Sequence, residues 1–183
     1  MGHALAEAAR DRGAKVILIT ASSLGEPYGV RTVRVVRAEE MRRAIVGECQ
    51  GADAILMAAA VADYRPAIEA QEKMKRAQEE RMVLELKRTP DVLEEVGRVG
   101  SLIKVGFAAE SHDLLANAQE KMRIKRLDLL AANDVTEKGA GFGSDTNRIL
   151  LLDSGGGQEE LPMLSKYDAA QRILDRVVSL LRK

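Results

Sequence analysis

One cysteine, Cys49, in 183 residues excludes an internal disulfide framework and leaves nothing that marks a secreted, disulfide-stapled fold. The burial habits of free cysteine make Cys49 a semi-buried helical thiol. Tryptophan is absent and aromatic residues make up 3% of the chain. Charge of one sign is lacking too. Lys plus Arg and Asp plus Glu are 28 each, so no global field draws the chain to nucleic acid or an anionic membrane. Any binding of a phosphate must come from locally placed lysines. No apolar run approaches the roughly 20 residues that span a bilayer, and the first residues lack a signal-peptide hydrophobic region. The expected location is cytoplasmic.

What is present is an alternation of helical and strand-like patterns in a length suited to one domain, residues 1–183. Leu5, Ala8 and Ala9 share one face of a helix over residues 2–12, and KVILIT, residues 15–20, reads as a buried strand. VRTVRVV at 30–36 is a second strand, 38–49 a second helix and 54–59 a third strand. A charged stretch at 68–80 and an alternating strand at 82–87 form an excursion from the main sheet, about 68–87. A short helix over 91–96 precedes the strand LIKVGFA, 102–108. A helix from 113 to 125 leads to the strand LDLLAA, 127–132. ILLLD, 149–153, should form a hairpin with EELPM through Ser154-Gly155-Gly156-Gly157, and Ser165 with Asp168 should cap a final helix. Alternation with all-apolar strands predicts an α/β, Rossmann-like fold: a doubly wound, mainly parallel sheet with helices on both faces. Such a sheet normally begins with a strand, whereas this sequence begins with a helix, so a first central strand is expected ahead of Met1.

The most informative segment is AAAVADYRP, residues 58–66, where an apolar strand ends in small residues and opens onto Asp63, Tyr64 and Arg65. Alanines at a strand end let a ligand lie against the backbone, and open α/β sheets bind ligands at that edge. Tight helix packing would explain the alanines equally well. TPDVL, residues 89–93, starts a helix after Pro90, leaving the N–H groups of Asp91, Val92 and Leu93 for a phosphate or base edge; proline at a first turn is also ordinary helix-start grammar. Phe107 could stack on a base or belong to the core. Lys121 and Lys125, four apart, share a helical face and can converge on one anion. Asn133 and Asp134 end another buried strand, and Phe142, Ser144, Asp145 and Asn147 shape a loop before the hairpin. His3 and His112 are expected to be incidental.

Six segments in collinear order, AAAVADYRP, EKMKR at 72–76, TPDVL, VGFAAES at 105–111, AANDV at 131–135 and GFGSDTN at 141–147, resemble the phosphopantothenate–cysteine ligase (phosphopantothenoylcysteine synthetase) domain family over essentially the whole chain. The resemblance implies a reaction in which 4′-phosphopantothenate is activated by CTP to an acyl-cytidylate and then captured by L-cysteine, releasing pyrophosphate and CMP. It implies Mg²⁺ as cofactor, a homodimer joined by the excursion, and a flavin-binding decarboxylase domain as covalent partner in the full-length protein. By resemblance Lys73, in a K-x-K-K motif whose last lysine is Arg76 here, contacts the triphosphate and assists formation of the acyl-cytidylate. Met57, Ala58 and Ala59 offer backbone to the nucleotide. Asp63 contacts it through ribose, phosphate or metal; Pro90, Asp91, Val92, Leu93, Phe107, Lys121 and Lys125 complete the CTP site. The family also implies a preceding Gly-rich turn and an Asn-containing segment ending Ser-Ser-Gly-Lys. Without them, this sequence is expected to retain CTP binding in part, with weakened or lost turnover.

Two other classes fit less well. A nicotinamide oxidoreductase would place its glycine fingerprint between a strand and a helix, whereas the run from Gly139 to Gly143 precedes a strand. An interaction module gives no reason for small strand ends and paired lysines to occur together.

Overall fold

The computed structural model describes residues 1–70, 72, 82–96, 102–110, 114–134 and 145–182. In chain order the elements are α1 (Gly2–Asp11), β1 (Ile17–Thr20), β2 (Arg31–Arg34), α2 (Ala38–Glu48), β3 (Ala54–Met57), β4 (Tyr64–Pro66), β5 (Leu86–Arg88), α3 (Val92–Val96), β6 (Ile103–Glu110), α4 (Leu114–Lys125), β7 (Leu129–Asp134), β8 (Thr146–Asn147), β9 (Ile149–Asp153), β10 (Gln158–Glu160), β11 (Leu164–Ser165) and α5 (Lys166–Leu181).

The central sheet has five strands in the order β10-β9-β7-β6-β3. Its β3, β6 and β7 run parallel, with Met57 opposite Gly106 and Phe107 opposite Ala131. Strand β9 joins β7 antiparallel and the hairpin adds β10. The sheet is therefore mixed, where the sequence pattern suggested a mainly parallel one. The Ser154–Gly157 turn accounts for the β9–β10 part of this. Gly156 takes a φ of +87°, and the Asp153 carboxylate accepts the N–H groups of Gly155 and Gly157, closing a hairpin that must return antiparallel. A second departure is that β1 and β2 form their own parallel pair.

Strand alternation divides the apolar side chains between two faces. Leu56, Val105, Leu129, Ala131, Ile149 and Leu151 pack with Leu5 and Ala8 of α1 and with Ala169, Ala170, Ile173 and Val177 of α5. On the opposite face Ile55 and Met57 meet α2 and α3 through Met41, Ile45, Val92 and Val96. Ala108, Leu130, Ala132 and Leu152 meet α4 through Ala118 and Met122. Helices thus cover both faces, as all-apolar strands require.

Caps follow the sequence. Ser165 Oγ accepts the Asp168 N–H at 3.0 Å at the start of α5, and the Glu40 carboxylate accepts the N–H groups of Val36 and Arg37 ahead of α2. Gly106 answers a packing demand rather than a turn: a Cβ there would lie 2.4 Å from Leu127 Cδ1.

The excursion differs from its expected form. Among the described residues its pairing is a short antiparallel ribbon of β4 with β5, so the strand facing Leu86–Arg88 comes from the AAAVADYRP motif itself. Residues 73–81 lie outside those described.

Candidate functional site

Four segments meet where β3 and β6 end. The loop after β3 carries Ala58, half-buried, and Ala59, exposed, to Asp63, also exposed. The Thr89 N–H donates to the Asp63 carbonyl at 2.8 Å, bringing the chain ahead of α3 onto this loop. Asp91 then fixes the helix start, its Oδ1 accepting the Glu94 N–H at 3.1 Å. Its Oδ2 forms an ion pair with Lys125 Nζ. From the same face of α4, Lys121 Nζ donates to the Phe107 carbonyl at 3.0 Å. One lysine is moored to a strand carbonyl and the other to a capping carboxylate. Each keeps two further N–H donors, since an ammonium has three.

The expected residues therefore divide. Asp63 is bonded to Thr89, two residues ahead of Asp91; Asp91 pairs with Lys125, and Lys121, on the same helix, bonds the Phe107 carbonyl. Met57 ends β3 opposite Gly106, with Ala58 and Ala59 next in the chain. Pro90 is exposed between Thr89 and Asp91. Val92 is 4% exposed in the core and Leu93 packs on two core clusters, so their side chains serve packing. The Phe107 side chain packs on the core on the α1 and α5 side. Lys73 lies outside the described residues, as do Lys75, Arg76, Phe142 and Ser144. Asn147 is buried with its Oδ1 unpartnered, in a two-residue bridge to β11.

Arg88 was not among the expected residues. It stands opposite Tyr64 in the ribbon. The neighbouring Tyr64, and after it Asp63, hold the guanidinium above its ordinary value. Alternation through Leu84, Leu86 and Arg88 was the available sequence signal. A cleft lined by Val46, Cys49, Gln50, Gly51, Ala52, Glu95 and Val96 shares none of the cluster's residues.

Fold and site together define an α/β domain whose parallel strands end in small residues, beside two moored lysines and two carboxylates. The chain belongs to the DNA/pantothenate metabolism flavoprotein C-terminal domain family, whose profile matches residues 1–181. It is 44% identical over 183 residues to the coenzyme A biosynthesis bifunctional protein CoaBC of Bacillus subtilis (strain 168), a match covering 98% of this chain and 45% of that protein. The chain thus spans less than half the length of that relative. A crystal structure of the C-terminal domain of CoaBC superimposes with a TM-score of 0.83 at 33% identity, covering 99% of this chain and 82% of that one. The DNA/pantothenate metabolism flavoprotein from Streptococcus pneumoniae shares the fold, with a TM-score of 0.80 at 19% identity over 97% of this chain and 86% of that one.

Proposed function

We propose that this chain is a CTP-dependent ligase domain that joins 4′-phosphopantothenate to L-cysteine in coenzyme A biosynthesis. The observation that carries the reading is the pair of moored lysines, Lys121 on the Phe107 carbonyl and Lys125 on Asp91, at the small-residue strand edge of a chain in this family. The phosphopantothenate carboxylate attacks the α-phosphorus of CTP and pyrophosphate leaves. The cysteine amine then attacks the acyl carbon of the resulting acyl-cytidylate, loses a proton and expels CMP.

Such chemistry asks the protein chiefly for position and fixed positive charge. Lys121 and Lys125 oppose the charge of the phosphates, each already oriented by its mooring. The chain at Met57, Ala58 and Ala59 offers backbone to the nucleotide, with Pro90, Asp91, Val92 and Leu93 facing it across the loop contact. Phe107 flanks the nucleotide, and Lys73 is the catalytic cation of the activation step. No group of three or more His, Cys, Asp or Glu gathers among the described residues. The exposed Asp63 fits the other mode, in which Mg²⁺ arrives on the nucleotide and needs one or two protein carboxylates. Held there, Mg²⁺ would neutralise phosphate charge.

The same reading includes a doubly wound arrangement, a cytoplasmic protein and a homodimer joined through the excursion at about 68–87. It also includes a decarboxylase domain as partner in the full-length protein. Exposed apolar residues flanking the ribbon support the dimer: Ile68 is 82% and Val83 96% exposed, a surface that calls for cover. No helix among the described residues is long and apolar enough to cross a membrane.

Mass spectrometry of the chain incubated with CTP, phosphopantothenate and cysteine tests the function. Phosphopantothenoylcysteine with CMP supports it. CTP binding without any CMP would instead support a nucleotide-binding domain that does not turn over alone, and absence of CTP binding would overturn the reading.

A further inference from the structure

Cations are unevenly used around the strand edge. Lys121 and Lys125 reach it from α4, on the side of β6. On the side of Asp63, the ribbon supplies Arg88. Three observations place it. Arg88 is the register partner of Tyr64, the residue after Asp63. The next residue, Thr89, is hydrogen-bonded to the Asp63 carbonyl, which fixes the Arg88 backbone beside that loop. As directly opposed residues of an antiparallel pair, Arg88 and Tyr64 share one face of the ribbon, and both are exposed. A side chain with five donors in a planar fork can take a phosphate through two hydrogen bonds.

We infer that Arg88, oriented by Tyr64, is a binding residue for the terminal phosphates of the nucleoside triphosphate and for the pyrophosphate it releases. The inference rests on the nucleotide reading above and divides the site. The lysines of α4 serve one side of the polyphosphate and Arg88 the other, so a ligand carrying one phosphate engages Arg88 little. Tyr64 is a positioning residue here. It flanks the Arg88 side chain on the same face of the ribbon and leaves the charge to Arg88.

The test is isothermal titration of the purified chain with CTP, CMP and inorganic pyrophosphate, with Mg²⁺ held constant. Arg88→Ala should weaken CTP and pyrophosphate by about tenfold or more, the scale of a charged hydrogen-bonding pair. CMP should change less than twofold. Arg88→Lys, which keeps the charge and loses the fork, should fall between. Tyr64→Phe should weaken pyrophosphate by a few-fold and leave CMP unmoved. Because both side chains are exposed, unchanged melting temperatures are expected and serve as the folding control. Equal losses for CMP and CTP, or unchanged pyrophosphate affinity in Arg88→Ala, would overturn the assignment while leaving the nucleotide site intact. A wild-type chain that binds no CTP overturns both.

Discussion

The N–H of Thr89 donates to the carbonyl of Asp63 at 2.8 Å, joining two loops that follow different strands. This bond places the Asp91 cap, and so Lys125, alongside the small-residue end of β3. The site is held by backbone and by paired charges, which makes the two lysines separable from the fold.

Lys121→Met and Lys125→Met should each weaken CTP binding by about tenfold or more, the loss expected for one hydrogen bond to a charged phosphate. The double variant should deviate from the sum, because both ammonium groups act on one polyanion. Titration calorimetry gives the affinities. Unaltered binding in both single variants would remove α4 from the site.

Most of the scaffold was legible in sequence because its signals are local. The apolar run before Thr20, the Ser165 cap with Asp168 and the Asp153 to Gly157 turn each lie within a few residues, and each appears where the pattern placed it. What escaped depends on distant partners. Strand β4 has three residues, too few for a period, and exists because it pairs with β5 twenty or more positions later. The β8 to β11 bridge is the same case. At the site, residue types were legible one by one, but the pairing of Asp91 with Lys125 joins separate elements. Val92 and Leu93 show the reverse: a motif marked their segment, while burial assigned their side chains to the core.

Gly106 should tolerate substitution poorly. A Cβ there would lie 2.4 Å from Leu127 Cδ1 and 3.2 Å from Leu130 Cδ1, both in the core. Gly106→Ala should cost about 1–3 kcal/mol, as overpacking does. That lowers the melting temperature by about 2–4 °C per kcal/mol in a domain of this size. Combining it with Leu127→Ala should destabilise less than the two separate effects added, since the second change opens the space the first needs. Calorimetric melting of the four proteins decides it.

Lys104 is 7% exposed at the start of β6, with its Nζ 3.7 Å from Asp128 Oδ2, and the same carboxylate accepts the Lys104 N–H at 2.8 Å. Asp128→Ala strands a buried ammonium and a backbone donor, so a loss of about 3–5 kcal/mol is expected. Lys104→Met removes the charge and should cost less than Asp128→Ala. Urea unfolding midpoints at constant m-value test the order. The reverse order would mean that the pair is valued for the Lys104 stem.

Val83, 96% exposed beside β5, is the sharpest probe of the proposed dimer. Val83→Glu should shift the population toward monomer in light scattering without lowering the monomer's helix content. A wild-type chain that is monomeric at high concentration would count against the dimer.

Acid should weaken the α2 to α3 ion-pair network. Arg42 donates to both Glu39 oxygens at 2.9 Å and to Glu95 at 2.8 and 2.9 Å, and Arg43 adds a bond to Glu39. The Arg42 hydrogen bond, the largest influence, helped by Arg43, draws the Glu39 carboxyl from 4.5 down to about 2. A folded carboxyl held below its unfolded value stabilises fully above the unfolded value and loses that contribution as pH falls toward the folded one. The window is therefore about pH 4.5 to 2, within which the unfolded chain binds the extra proton. Arg42→Leu should flatten the dependence of the urea midpoint on pH inside that window and leave its slope above pH 5 unchanged. High salt should act in the same direction, because the pair is solvent-facing and screened. A wild-type slope that Arg42→Leu does not alter would show that other carboxylates govern acid unfolding.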